Sequence, residues 1–253
     1  MNIQPDVDET FDSDGVPIRY QVYGEGEPIV LVHGFASSIQ GNWANTGWVE
    51  TLAPLRQVIA LDCRGHGESG KPHDPESYGT EMSDDVMRLM DHIGVETADL
   101  IGYSMGAMIS LRLLVGHAER FRSVVLGGIG NAIATRTRGR PGVAEALLAE
   151  KTNEVKDPVG RAFRAFAEAS GNDLKALAAC QSARSEPLDR ERLGEVAIPV
   201  LVVVGERDVL IANPKELASA IRGARLVTVP GRDHLTAVPD DRFKKAVVEF
   251  LGG

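Results

Sequence analysis

Six short apolar runs, each rich in β-branched residues and separated from the next by a longer segment, constrain this chain more than any other feature. They are "PIVLVHG" from Pro28, "QVIALD" from Gln57, "ADLIGYS" from Ala98, "RSVVLGG" from Arg122, "IPVLVVVG" from Ile198 and "ARLVTVP" from Ala224. Such runs read as strands buried on both faces, and strands that alternate with helices assemble as β-α-β units into a parallel sheet. "GVPIRYQVYGEG", from Gly15, alternates apolar and polar residues and is expected as an antiparallel strand at the sheet's edge.

Between Asn131 and Val196 the strand signals stop. "GVAEALLAEK", "DPVGRAFRAFAEAS" and "NDLKALAACQSA" read as helices, with Asp157 and Pro158 as a cap and first-turn pair and with Gly171 or Asn172 opening the last of them. The expected organisation is one α/β core, residues 1–130 and 197–253, carrying a small helical cap insertion at 131–196. A length of 253 residues suits one large domain rather than two.

Composition narrows the function classes. Hydrophobic residues at 43% and charged residues at 25% are ordinary for a globular chain, and no apolar run approaches the ~20 residues of a membrane span. A net charge of −9 with no long basic stretch argues against nucleic acid as a partner. Only Cys63 and Cys180 are present, so a disulfide framework is excluded. The acidic start "MNIQPDVDET" lacks the pattern of a secretory leader, so a reducing cytoplasm is the expected compartment.

"GYSMG", Gly102 to Gly106, puts a serine between two glycines where a strand gives way to a helix. A tight strand-to-helix turn needs flanking residues without Cβ, and it sets Ser104 at the positive end of the helix that begins near Met105. A serine needs a base and a group to orient that base. "VVVGERD" ends in Asp208 and "VTVPGRDH" ends in His234, each just past a strand, and the active groups of open parallel sheets gather at the strands' carboxyl ends. Ser104 as nucleophile, His234 as base and Asp208 as its orienting acid form the expected catalytic set.

Taken together, "VHGFASS", "LDCRGHGES", "GYSMG", "GERD" and "GRDH", spread from Pro28 to His234, resemble the motifs of α/β-hydrolase-fold serine hydrolases of the bacterial esterase and haloperoxidase-like group. The resemblance implies a mostly parallel sheet of about eight strands flanked by helices. It also implies an oxyanion hole made by the backbone N–H groups of Phe35 and Met105, no cofactor and no metal, and a small ester, lactone or thioester as substrate. Oligomeric state stays open. Carbon–carbon hydrolysis of diketone-like products and a ligand receptor of the same fold are the alternatives. An aspartate-dependent dehalogenase is disfavoured by Ser104, and "HGFASS" lacks the proline of many haloperoxidase relatives.

The remaining candidates divide between chemistry and scaffold. Glu206 and Asp233 rival Asp208 only by proximity in sequence. His33 is expected to brace the loop that carries Phe35, and His66, Asp62 and Arg64 to tie neighbouring loops; His73, His92 and His117 read as exposed or helix-end residues. Trp43 and Tyr103 are candidate pocket residues, whereas Trp48 reads as packing. The 131–196 segment holds eleven Lys or Arg against ten Asp or Glu, so the negative charge lies on the rest of the chain. Arg136, Arg138 and Arg140 near the expected mouth are candidates for attracting an acidic substrate.

Overall fold

A computed structural model describes residues 3–130, 139–185 and 187–252. Eight strands form one sheet: β1 (Val7–Ser13), β2 (Val16–Tyr23), β3 (Pro28–Val32), β4 (Gln57–Leu61), β5 (Ala98–Tyr103), β6 (Phe121–Gly127), β7 (Val200–Gly205) and β8 (Arg225–Val229). Their order is β1-β2-β4-β3-β5-β6-β7-β8. β1 pairs with β2, and β2 with β4, in antiparallel fashion, while all other neighbours are parallel.

Alternation of side chains across the pleat divides the strand residues between two apolar layers. Val30, Val32, Val124, Leu126, Val202 and Val204 pack on one face with α2 (Glu81–His92), α3 (Met105–Gly116) and α8 (Pro214–Ala220). Ile29, Leu31, Ile101, Val125, Leu201 and Val203 pack on the other with α1 (Trp48–Leu52) and α9 (Asp241–Phe250). Coverage on both faces explains why β5 and β7 are buried at every position and read as continuous apolar runs.

The segment from Gly15 is β2, and it does not form the edge as expected; β1 does. β1 carries no strand signal in the sequence, since its seven residues include Asp8, Glu9 and Asp12, and only Phe11 and Ser13 are buried. An edge strand needs one apolar face only, and charge along it discourages pairing with another chain. Asp8 also holds Arg19 across the pair at 2.8 Å.

Between β6 and β7 lie α4 (Pro141–Leu148), α5 (Pro158–Ala169), α6 (Leu174–Ser182) and α7 (Arg190–Glu195). Asp157 caps α5 by accepting from the Gly160 N–H at 2.7 Å, as its pairing with Pro158 predicts. Neither Gly171 nor Asn172 starts α6. Asp173 does, accepting from the N–H groups of Lys175 and Ala176, while Gly171, at φ 67°, follows the end of α5. Asn172 instead donates to the carbonyl of Ala36 at 2.8 Å, tying this helical segment to the loop after β3. Buried Arg164 donates to the carbonyls of Ala146, Leu147 and Ala149 and so satisfies the open end of α4.

Candidate active site

Ser104 joins β5 to α3 with φ 54° and ψ −106°, a conformation that costs a non-glycine residue about 1–3 kcal/mol. The glycines on either side answer to space. A Cβ on Gly102 would lie 2.2 Å from the carbonyl oxygen of Gly106, and a Cβ on Gly106 would lie 1.9 Å from that of Val32. With both Cβ atoms absent, α3 sits against β3 and β5 and the serine is held at the helix's amino end.

The loops after β7 and β8 bring Asp208 and His234 to the same place. His234 Nε2 is 2.9 Å from Ser104 Oγ, and His234 Nδ1 is 2.6 Å from Asp208 Oδ2. An ionised carboxylate only accepts, so Nδ1 carries the proton and Nε2 receives the serine hydroxyl's hydrogen. The Asp208 side chain has no solvent exposure, and its second oxygen accepts from the Leu210 N–H at 3.0 Å. Tyr103 packs its ring against the imidazole and donates its hydroxyl to the His234 carbonyl. Burial raises the phenol's pKa, keeping it a donor.

Glu206 and Asp233 take other partners. Glu206 is exposed and accepts from the Gly231 N–H. Asp233 is exposed and accepts from the backbone of Leu235 and Thr236 and from the Thr236 hydroxyl, contacts that hold its pKa below the ordinary value.

Phe35 follows Gly34 just beyond β3, and Met105 opens α3. Among the described residues, neither backbone N–H has a protein acceptor. The loop bearing Phe35 is braced from below. His33 Nε2 accepts from the Cys63 N–H at 3.0 Å, which leaves Nδ1 as the donor to the Gly34 carbonyl at 2.7 Å. That tautomer requires a neutral ring, and burial lowers the His33 pKa. The His66 ring lies edge-on to both His33 and Phe35, with its pKa pushed down to about 3 by burial. Asp62 ties loops together by accepting from Ile39 and Glu68, and Arg64 does so through Asp85 and the Ser77 carbonyl. His73 and His117 are half-exposed, and His92 ends α2.

Two cavities border the serine and histidine. The larger, of about 450 Å³, is walled by Val159, Phe163, Phe166, Leu235 and Val238 and also borders Tyr103. The smaller, of about 170 Å³, is walled by Met105, Arg140, Cys180, Gln181 and Ser185. Phe35, Ser104, Phe163, Leu210 and His234 border both. The Arg140 guanidinium donates to the Leu210 carbonyl at 2.6 Å, and its backbone N–H donates to Gln181. Arg136 and Arg138 lie outside the described residues.

Trp43 does not reach either cavity, contrary to expectation. The helical turn over Gln40–Ala44 directs it inward, fully buried and edge-on to Trp48 in the core beneath the sheet. Phe163 was missed, although Val159, Phe163 and Phe166 recur at helical spacing on α5 and mark one apolar face. Among the described residues, no group of three or more His, Cys, Asp or Glu is placed to hold a metal ion. No helix among them is long and apolar enough to cross a membrane.

Residues 27–144 match the family model described as alpha/beta hydrolase fold. The chain is 28% identical to the enol-lactonase from Burkholderia xenovorans LB400, whose crystal structure aligns with a TM-score of 0.80 over 96% of this chain and 100% of that one. It is 27% identical to a non-heme haloperoxidase of Rhodococcus erythropolis, over 94% of this chain and 97% of the relative. It is also 32% identical to a 2-hydroxymuconate semialdehyde hydrolase of Pseudomonas sp. strain CF600, over 53% of this chain and 48% of the relative.

Proposed function

We propose that this chain, which belongs to the α/β-hydrolase fold family of hydrolases, cleaves carboxylic esters or lactones of small to medium size through a covalent acyl-serine. The observation that carries this reading is the relay from the Ser104 hydroxyl through His234 to buried Asp208, at 2.9 and 2.6 Å.

Ser104 Oγ attacks the substrate carbonyl as its proton passes to His234 Nε2, and the carboxylate of Asp208 stabilises the imidazolium that forms. Charge developing on the carbonyl oxygen is met by the N–H groups of Phe35 and Met105, and one such donor contributes about 2.7–4 kcal/mol of barrier lowering. His234 returns the proton to the departing oxygen. Water then attacks the acyl-serine, giving its proton to His234, and the acid leaves as Ser104 recovers its hydrogen.

The two cavities beside Ser104 suit the two halves of such a substrate, one on each side of the scissile bond. In this reading residues 131–196 act as a cap, with α5 supplying apolar wall to the larger cavity and Arg140 offering the smaller one a positive charge for an acidic group. The similarity to an enol-lactonase supports the inclusion of lactones. A second reading, carbon–carbon hydrolysis of a diketone-like product by the same serine, is favoured by the similarity to a 2-hydroxymuconate semialdehyde hydrolase.

Turnover of a panel of nitrophenyl esters, lactones and vinylogous diketones tests the proposal. Ester or lactone hydrolysis that vanishes in Ser104→Ala supports it. Turnover of the diketones alone selects the second reading, and background rates on every member contradict both.

A further inference from the structure

The turn that presents the Phe35 N–H is built into the helical segment between β6 and β7 as much as into the core. Phe35 and Ala36 are buried in an apolar cluster with Leu147, Ala167 and Leu177, which lie on α4, α5 and α6. Ala36 holds φ 59°, a left-handed conformation that a residue with a Cβ seldom adopts. Asn172, between α5 and α6, donates its NH₂ group to the Ala36 carbonyl at 2.8 Å. The Ser37 N–H donates to the Gly34 carbonyl at 3.2 Å, and His33 Nδ1 donates to that same carbonyl. The Ala36 carbonyl and the Ser37 N–H belong to one peptide group, and the Gly34 carbonyl and the Phe35 N–H belong to another. A trans peptide group points its N–H opposite to its C=O. Donors therefore run head to tail from Asn172 through two peptide groups to the Phe35 N–H, which has no protein acceptor among the described residues.

We propose that Asn172 is a positioning residue of the oxyanion hole: acting through those two peptide groups, it aims the Phe35 N–H at the developing oxyanion, so that the cap takes part in catalysis as well as walling the cavities. The inference rests on the acyl-serine reading above, which supplies the oxyanion. Two effects carry it. Anchoring the Ala36 carbonyl opposes rotation of its peptide group, a motion that would relieve the left-handed backbone but turn the Ser37 N–H away from Gly34. Hydrogen bonds in series also polarise one another where the dielectric is low, so donation at Asn172 makes the Phe35 N–H a stronger donor. His33 holds the Gly34 carbonyl from the core side, so losing Asn172 weakens and tilts the Phe35 donor without removing it.

Asn172→Asp keeps the side chain's size and gives up the donor, and Asn172→Ala removes the side chain. His73→Ala is the control, since it breaks the adjacent contact of the same junction, His73 to Asp173 at 2.9 Å, and leaves the peptide series intact. For nitrophenyl butanoate both Asn172 variants are expected to lower kcat about tenfold with KM within about twofold, a part of the roughly 10²–10³ lost with a whole donor. His73→Ala is expected to match wild type. The thiono analogue of the ester separates positioning from general loosening. Its sulfur is a weaker acceptor than a carbonyl oxygen, so its rate depends less on the hole and falls less, whereas loosening slows both esters alike. A second arm needs no turnover. Butyl trifluoromethyl ketone adds the Ser104 oxygen at its carbonyl carbon as the serine proton passes to His234, which leaves a tetrahedral oxyanion in the hole. Its Kd, read by fluorine NMR titration, is expected to rise about tenfold in Asn172→Asp. Oxo and thiono rates that keep the wild-type ratio in both Asn172 variants, or a ketone Kd that does not change, overturn the inference. A ketone adduct weakened as expected in a protein that turns over no ester counts against the proposed reaction alone, and a wild type that forms no adduct overturns both.

Discussion

The hydroxyl of Tyr103 donates to the backbone carbonyl of His234, which lies 131 residues away in sequence. The residue preceding the nucleophile thus anchors the loop that carries the imidazole, and both are buried. Tyr103→Phe removes the donor and strands a buried carbonyl, at a cost of about 1–3 kcal/mol. The expected outcome is a lower urea midpoint and a kcat reduced several-fold with a smaller change in KM, since the contact positions His234 rather than the substrate. Equal kcat in the two proteins argues against this anchoring.

Asp208→Asn preserves side-chain size and the acceptor for the Leu210 N–H but gives up the charge that favours the Nδ1–H tautomer of His234. A loss of about 10⁴ in kcat follows if the carboxylate has that task. Nitrophenyl butyrate kinetics, with far-UV circular dichroism to show an intact fold, measure it. A variant within tenfold of wild type points to a different orienting acid.

Arg140→Gln removes one of the two positive charges that border the smaller cavity, Arg112 being the other, and gives up the guanidinium contact to the Leu210 carbonyl. Hydrolysis of monoethyl succinate is expected to fall about tenfold in kcat/KM, in line with a charged hydrogen bond of about 1.5–3 kcal/mol, whereas ethyl butanoate hydrolysis is unaffected. Equal effects on the acidic and neutral esters dispose of the anion preference.

Acid sensitivity follows from His66, whose pKa is lowered to about 3 by burial. Unfolding restores an ordinary value near 6.5, so between about pH 6.5 and pH 3 the unfolded chain binds a proton that the folded chain refuses. Stability from this group is therefore fully present above about pH 6.5 and is lost as pH falls, by about 1.4 kcal/mol per pH unit over that window. The His33 pKa is lowered as well and acts in the same direction. His66→Gln is expected to show a smaller drop in urea midpoint between pH 7.5 and pH 5 than wild type. Identical drops would remove His66 from the account.

Much of the fold is legible in the sequence because burial on both faces leaves the inner strands few polar positions; β8, expected to be buried on both faces, is instead the far edge, with Arg225 and Thr228 exposed and only Val229 buried, yet its apolar residues still mark it as a strand. β1 is not legible, since an edge strand with acidic residues shows only Phe11 and Ser13 as buried positions. The elbow stands out because Gly102 and Gly106 are demanded by close backbone approach, a local constraint that spacing preserves. Asp208 and His234 are legible as loop residues past strand ends, where parallel sheets converge. Pocket walls are not: the burial of Trp43 depends on how one helical turn rotates.

The most direct test of the central claim is reaction with a fluorophosphonate followed by peptide mass spectrometry. The account predicts one phosphonyl adduct, on the hydroxyl of Ser104, absent in Ser104→Ala and formed far more slowly in His234→Ala. An adduct on another residue, or labelling that persists undiminished in Ser104→Ala, would contradict it.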